Sequence, residues 1–293
     1  MDHKEALKLL SSNQVDEIQK SLHYFCSNGS ISDVSTLMPL INHDQFKIRK
    51  LAVTTLSTII KENLINHYCQ IAQDVRLKLG SIMEKLDPRI VEEIGNDLYC
   101  ENESRRLRAV QILGLLKKNP KTRQILANLI KDRDVKIRAT AINLLGKMIG
   151  PHDQDLVLSL LTDEDTRVRA NTVEALESMQ NKRLVPILLR LRLDPNNRIR
   201  ANVLKALYNL GYTDIESDLL DMLSLENPFM KASALWVLSQ ITIKAQSLED
   251  AAGECMLNDN PMVVKNAKNA LERIATPKAK GYVKYLSGIF SDN

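Results

Sequence analysis

The chain has 293 residues, 44% hydrophobic and 26% charged, with ten Gly and nine Pro, which excludes a disordered or fibrous chain and leaves apolar mass for a packed core. Aromatic residues make up only 4%, with one Trp, a composition that suits close helix packing through small residues better than a β-sandwich. No apolar run approaches the roughly 18–20 residues of a membrane helix, and MDHKEALKLL lacks the basic-then-apolar pattern of a secretory signal, so no membrane association is expected. Cys26, Cys69, Cys100 and Cys255 stand far apart without a CxxC pair, which reads as reduced thiols in a cytoplasmic protein.

In chain order, caps and breakers predict a helix pair over 4–10 and 14–26, closing at Asn28-Gly29, so that 1–30 forms an N-terminal cap. A helical repeat follows at 31–61. The stretch 64–86 reads as one long helix out of register, making 64–87 irregular. From Pro88 six regular helix pairs run to Ile274. Pro277 then opens a last helix, through Tyr282, Tyr285, Leu286 and Ile289, that closes the chain at 276–293. No linker interrupts this order, so 1–293 reads as a single domain.

The six pairs rest on an internal repeat. DVKIRATAINLLG from Asp134, DTRVRANTVEALE from Asp165, NNRIRANVLKALY from Asn196 and NPFMKASALWVLS from Asn227 recur every 31 residues. Asn102, Asp134, Asp165, Asn196, Asn227 and Asn260 stand where a side chain caps a helix. Four residues later comes a cation in all but the last, and three beyond that a small or β-branched residue: Ala109, Ala141, Thr172, Val203, Ala234, Ala267. Seven beyond the cation position the residue is always Leu: Leu113, Leu145, Leu176, Leu207, Leu238, Leu271. Ala52 and Leu56 repeat this after Arg49. Apolar residues at i, i+3, i+4 and i+7 make an amphipathic helix, and a second apolar helix precedes each cap. Neither can bury its face alone, so the pairs must stack into an all-α solenoid.

These motifs resemble the HEAT repeats, most closely the short bacterial kind named after phycobilin lyases, over about 31–275. The resemblance implies a superhelix whose second helices line a concave face. It says little of activity. Deoxyhypusine hydroxylase is similar in fold but holds iron through His-Glu pairs, and no His-Glu dipeptide occurs here. No phosphate-binding loop, nucleophile elbow or HExxH motif is present. No catalytic residue, cofactor, metal or small-molecule ligand is therefore expected.

The charges divide the chain. Residues 1–99 carry net −2, residues 100–210 net +9 and residues 211–293 net −3. Arg106, Arg138, Arg169, Arg200 and Lys231, with Arg49 before them, share one register and read as a structural ladder, each bonding a cap in a neighbouring repeat. Two residues earlier, Lys136, Arg167 and Arg198 form a second basic row that phosphate or an acidic protein surface would match.

The second helices leave a polar row that includes Asn171, Asn202 and Lys205, broken at Trp236. Phe229 similarly interrupts the row of Lys136, Arg167 and Arg198. Phe229 and Trp236 are seven apart on one helix face, with Tyr208 on the helix before. Exposed aromatics beside Arg198 and Lys205 have the composition of a binding hot spot. The sequence therefore reads as a non-enzymatic scaffold or adaptor for a protein partner, an acidic or aromatic helix or tail held on the concave face. Nucleic-acid binding by the basic middle repeats is the alternative, and a lyase-like subunit a lesser one.

Overall fold

The structure, a computed structural model, describes residues 1–87, 89–116, 120–150 and 153–291. Expectations that fall on Pro88, His152 and the side chains of Tyr285, Leu286 and Ile289 lie outside the described residues. Among these residues every regular element is a helix, and the chain divides into two compact units, Met1–Leu144 and Leu145–Asn293.

The first unit holds α1 (His3–Leu9), α2 (Val15–Asn28), α3 (Val34–Leu37), α4 (Phe46–His67), α5 (Gln73–Leu86), α6 (Ile90–Leu98), α7 (Glu103–Leu113), α8 (Pro120–Leu129) and α9 (Val135–Leu145), whose last residue passes the division. The second holds α10 (Gln154–Leu158), α11 (Thr166–Ser178), α12 (Val185–Leu189), α13 (Asn197–Asn209) and α14 (Glu216–Ser224). It continues with α15 (Pro228–Gln240), α16 (Gln246–Glu254), α17 (Pro261–Ile274) and α18 (Pro277–Ser291). Within it α11, α13, α15 and α17 pack one on the next, and the shorter first helices pack behind them. This is α-solenoid architecture.

Each frame position does what its chemistry requires. The side chains of Asn102, Asp134, Asp165, Asn196, Asn227 and Asn260 all accept backbone N–H bonds from the first turn of their helix, as from Arg105 (3.0 Å), Lys136 (2.8 Å) and Phe229 (2.9 Å). The small residues from Ala52 to Ala267 and the Leu series from Leu56 to Leu271 are all completely buried. Burying each Leu contributes about 2 kcal/mol. A further device sits two residues before four of the caps, where Asp132, Asp163, Asp194 and Asn258 accept the N–H of the cap residue itself at 2.8–3.0 Å. These Asx turns aim the chain into the second helix.

Two expectations are corrected. The stretch 64–86 is not one helix. Leu64 and Ile65 are buried as the last turns of α4, the chain breaks after His67, and α5 starts at Gln73. The break is held from outside, because the Tyr68 ring lies beneath the guanidinium groups of Arg76 (4.3 Å) and Arg108 (5.5 Å).

The cation ladder is corrected in part, since its common bond lies within each repeat and the cross-repeat bond to a cap is kept at Arg106. Arg49, Arg106, Arg138 and Arg169 each turn Nη1 back to the carbonyls five and six residues upstream, in the loop of their own repeat. Arg106 in addition reaches the next cap, Asp134, at 3.6 Å. A planar fork near the helix start finds loop carbonyls closer than a neighbour's carboxylate. Arg200 departs from the pattern, donating to Asp221 Oδ2 (2.7 Å) and to the Asp218 carbonyl (3.5 Å) on α14. Lys231 is half-buried near Cys255.

The first unit carries one charged knot. Arg105 grips both oxygens of Glu62 (3.0 and 3.2 Å) and Asp97 Oδ1 (2.7 Å), with Lys61 3.7 Å from the other Asp97 oxygen. Burial pushes the Glu62 carboxyl up, but the Arg105 bonds and charge outweigh it and hold the group below its ordinary range. The knot ties α4, α6 and α7 together. All four cysteines are free thiols.

Candidate functional site

In the second unit the second helices leave a groove of about 420 Å3 that runs from Glu174 on α11 to Met262 and Asn266 on α17. Its walls are Phe229, 59% exposed, the half-buried Trp236, and Met262, 39% exposed; Ala201, Ala232 and Ser233 also line it. Trp236 and Phe229 both face it because they lie two turns apart on α15. Met262 completes the wall from α17, two residues after its cap just as Phe229 is two after Asn227.

The structure brings together Trp236, Phe229, Arg198 and Asn202 of the expected set. Tyr208 does not line the groove, and its hydroxyl donates instead to the Thr242 carbonyl. Lys205 sits over the indole, its ammonium 5.4 Å from the ring centre and paired to Glu177 at 3.0 Å. Arg167 bonds its own cap residue, Asp165, at 2.9 and 3.1 Å, and holds that carboxyl down at about 2. Lys136 is exposed and belongs to the first unit. Asn171 and Asn202 were expected in the outward polar row. Both are buried, and Arg198 donates to the Asn171 oxygen at 2.8 Å.

The polar end of the groove is thus internally satisfied. Glu174 Oε1 accepts from Arg198 (3.2 Å) and from Asn202 (2.8 Å), while Glu177 takes both Lys205 and Asn209. Asn197 donates to Ser233 Oγ (2.7 Å) and to the Phe229 carbonyl (3.3 Å). Glu174, Ser233 and Asn266, which the register places in the outward polar row, do line the groove, whereas sequence reasoning missed Asn197 and Met262. For Met262 the signal was available in the cap register, whereas Asn197 depends on a rotamer set by the neighbouring helix. Among the described residues no group of three or more His, Cys, Asp or Glu side chains could hold a metal ion, and no helix is long and apolar enough to cross a membrane.

Residues 92–176 and 154–239 match the family of HEAT repeats. The chain belongs to it. No curated protein matches the HEAT chain in sequence. Among solved structures it is similar to the karyopherin Kap121p bound to the extreme C-terminus of the protein phosphatase Cdc14p, with a TM-score of 0.53 and 12% identity over 99% of this chain. It is likewise similar to Kap121p bound to Pho4p, with a TM-score of 0.51 and 12% identity over 98% of this chain. In both cases the HEAT chain spans 39% of the other's length, and the likeness is one of fold.

Proposed function

We propose that the protein is a non-catalytic adaptor that holds a segment of another protein against the second-helix face of its second unit. The observation that carries this is the groove, where an exposed Phe, a half-exposed Trp and a Met converge on a small-residue floor in an otherwise polar row. Such a cluster is the anchor pattern of an interface hot spot. Stacked repeats provide the rigid support, and the fold relative Kap121p has been solved holding the C-terminal end of another protein. Nucleic-acid binding by the basic middle repeats is less favoured, since two cations of its row, Arg167 and Arg198, are bonded to Asp165 and Glu174 of the same chain.

Replacing both Phe229 and Trp236 with Ala should weaken the protein partner by about 2 kcal/mol or more, roughly thirtyfold, while the chain still melts cooperatively. Isothermal titration with that partner and a thermal melt together check it. A double variant that unfolds would show both rings to be core and remove the proposal.

A further inference from the structure

The second helices are cross-linked by a recurring bond that is missing at one place in the groove. Asn202 on α13 donates its amide Nδ2 to the carbonyl of Ala170 on α11 (3.2 Å). One pair further on but one, Asn266 on α17 donates to the carbonyl of Ala232 on α15 (2.8 Å). Both residues occupy one register, two after the cation position, and both reach the residue one after that position on the preceding second helix. Between α13 and α15 the corresponding pair is Ser233 and Ala201. Ser233 Oγ instead accepts from Asn197, and among the described residues no side chain donates to the Ala201 carbonyl. Ala201 and Ser233 both line the groove, beside Phe229 and Trp236. The vacant rung and the aromatic walls are therefore one site.

Resting on the function proposed above, we infer that the groove takes a carboxamide side chain, Asn or Gln, from the partner segment. Its NH2 donates to the Ala201 carbonyl where an Asn at 233 would have done so, and flanking apolar residues of the segment cover Phe229, Trp236 and Met262. Charge complementarity selects a neutral donor over a cation or an acid. The charged groups in and beside the groove are closed on each other, Arg198 on Glu174 and, next to Trp236, Lys205 on Glu177. A cation would meet an indole that already carries the Lys205 ammonium. An acid would offer no donor to a carbonyl. A carboxamide is also the group that the chain itself uses in the two neighbouring rungs.

The test uses the whole chain and a displayed library of random 12-residue peptides. Selected binders should carry Asn or Gln at one fixed position with apolar neighbours. Ser233→Asn restores the rung from within, so it should weaken those peptides at least tenfold and raise Tm by roughly 2 °C. Replacing the fixed Asn or Gln of the peptide with Leu should also cost at least tenfold, a readout that stands even where Ser233→Asn fails to fold. Peptides that bind Ser233→Asn or survive the Leu replacement unchanged overturn the inference. If those same peptides still need Phe229 and Trp236, the adaptor reading stands without it. A library yielding no binder overturns both.

Discussion

Helices α13 and α15 are neighbours of equal length built on one frame, and they differ in what the frame leaves over. Both start from an Asn cap, both bury a small residue three after the cation and a Leu seven after it. On α13 the remaining positions, Arg198, Asn202, Lys205 and Asn209, are all bonded to α11, two of them to Glu177. On α15 the same four positions hold Phe229, Ser233, Trp236 and Gln240, and among the described residues none of these side chains donates a hydrogen bond to α13: Ser233 accepts from Asn197, and the Trp236 ring meets the Lys205 ammonium. One helix donates from its outward side chains to its neighbour, and the other does not. The frame makes the fold, and the residues between frame positions set what the outward face presents.

The largest effects should be equal on the two helices. Leu207→Ala and Leu238→Ala each remove a fully buried side chain and should each cost about 3–4 kcal/mol in denaturant unfolding. A much smaller loss at Leu238 would break the claim that both helices share one core. The next test separates them. Asn202 is 2% exposed and bonded at both amide hydrogens, so Asn202→Ala should cost about 1–2 kcal/mol, whereas Ser233→Ala should cost no more than about 0.5 kcal/mol. Equal costs would mean that Ser233 is already part of a rung.

The smallest effect compares caps. Asp165 caps α11 with a carboxyl held at about 2 by the Arg167 bonds, below its ordinary 3.8, whereas α13 and α15 carry neutral Asn caps. A lowered folded-state pKa stabilises the fold above pH 3.8, and that contribution is lost as pH falls through 2. Because Arg167 is half-exposed, the contribution is about 1 kcal/mol at most. Asp165→Asn should therefore narrow the stability loss between pH 4 and pH 2, as read by urea midpoints at each pH.

The frame was legible in the sequence because each of its positions has a requirement that a single residue meets: an oxygen for the cap, a short side chain at the helix crossing, a Leu for the core. The aromatic interruption at Phe229 and Trp236 was legible for the complementary reason, as large apolar residues in a polar row. What sits between helices was not. Asn202 was read as outward because polarity and periodicity place it on the leftover face, yet its amide is drawn inward by the Ala170 carbonyl and Glu174, acceptors on another helix. The break after His67 was hidden for a similar reason. No Gly or Pro marks 64–86 other than Gly80, and the turn is held by guanidinium groups that stack on Tyr68 from helices further along.

The arginine that folds back onto its own loop carries a consequence for how such chains arise. In Arg49, Arg106, Arg138 and Arg169 the elbow between two helices is braced by a side chain encoded within the same thirty-odd residues. A segment that fixes its own bend keeps it when the coding sequence is duplicated, whatever comes to lie on either side. Lengthening the chain then needs no renegotiation of joints, and a copy is free to trade its outward residues for new ones.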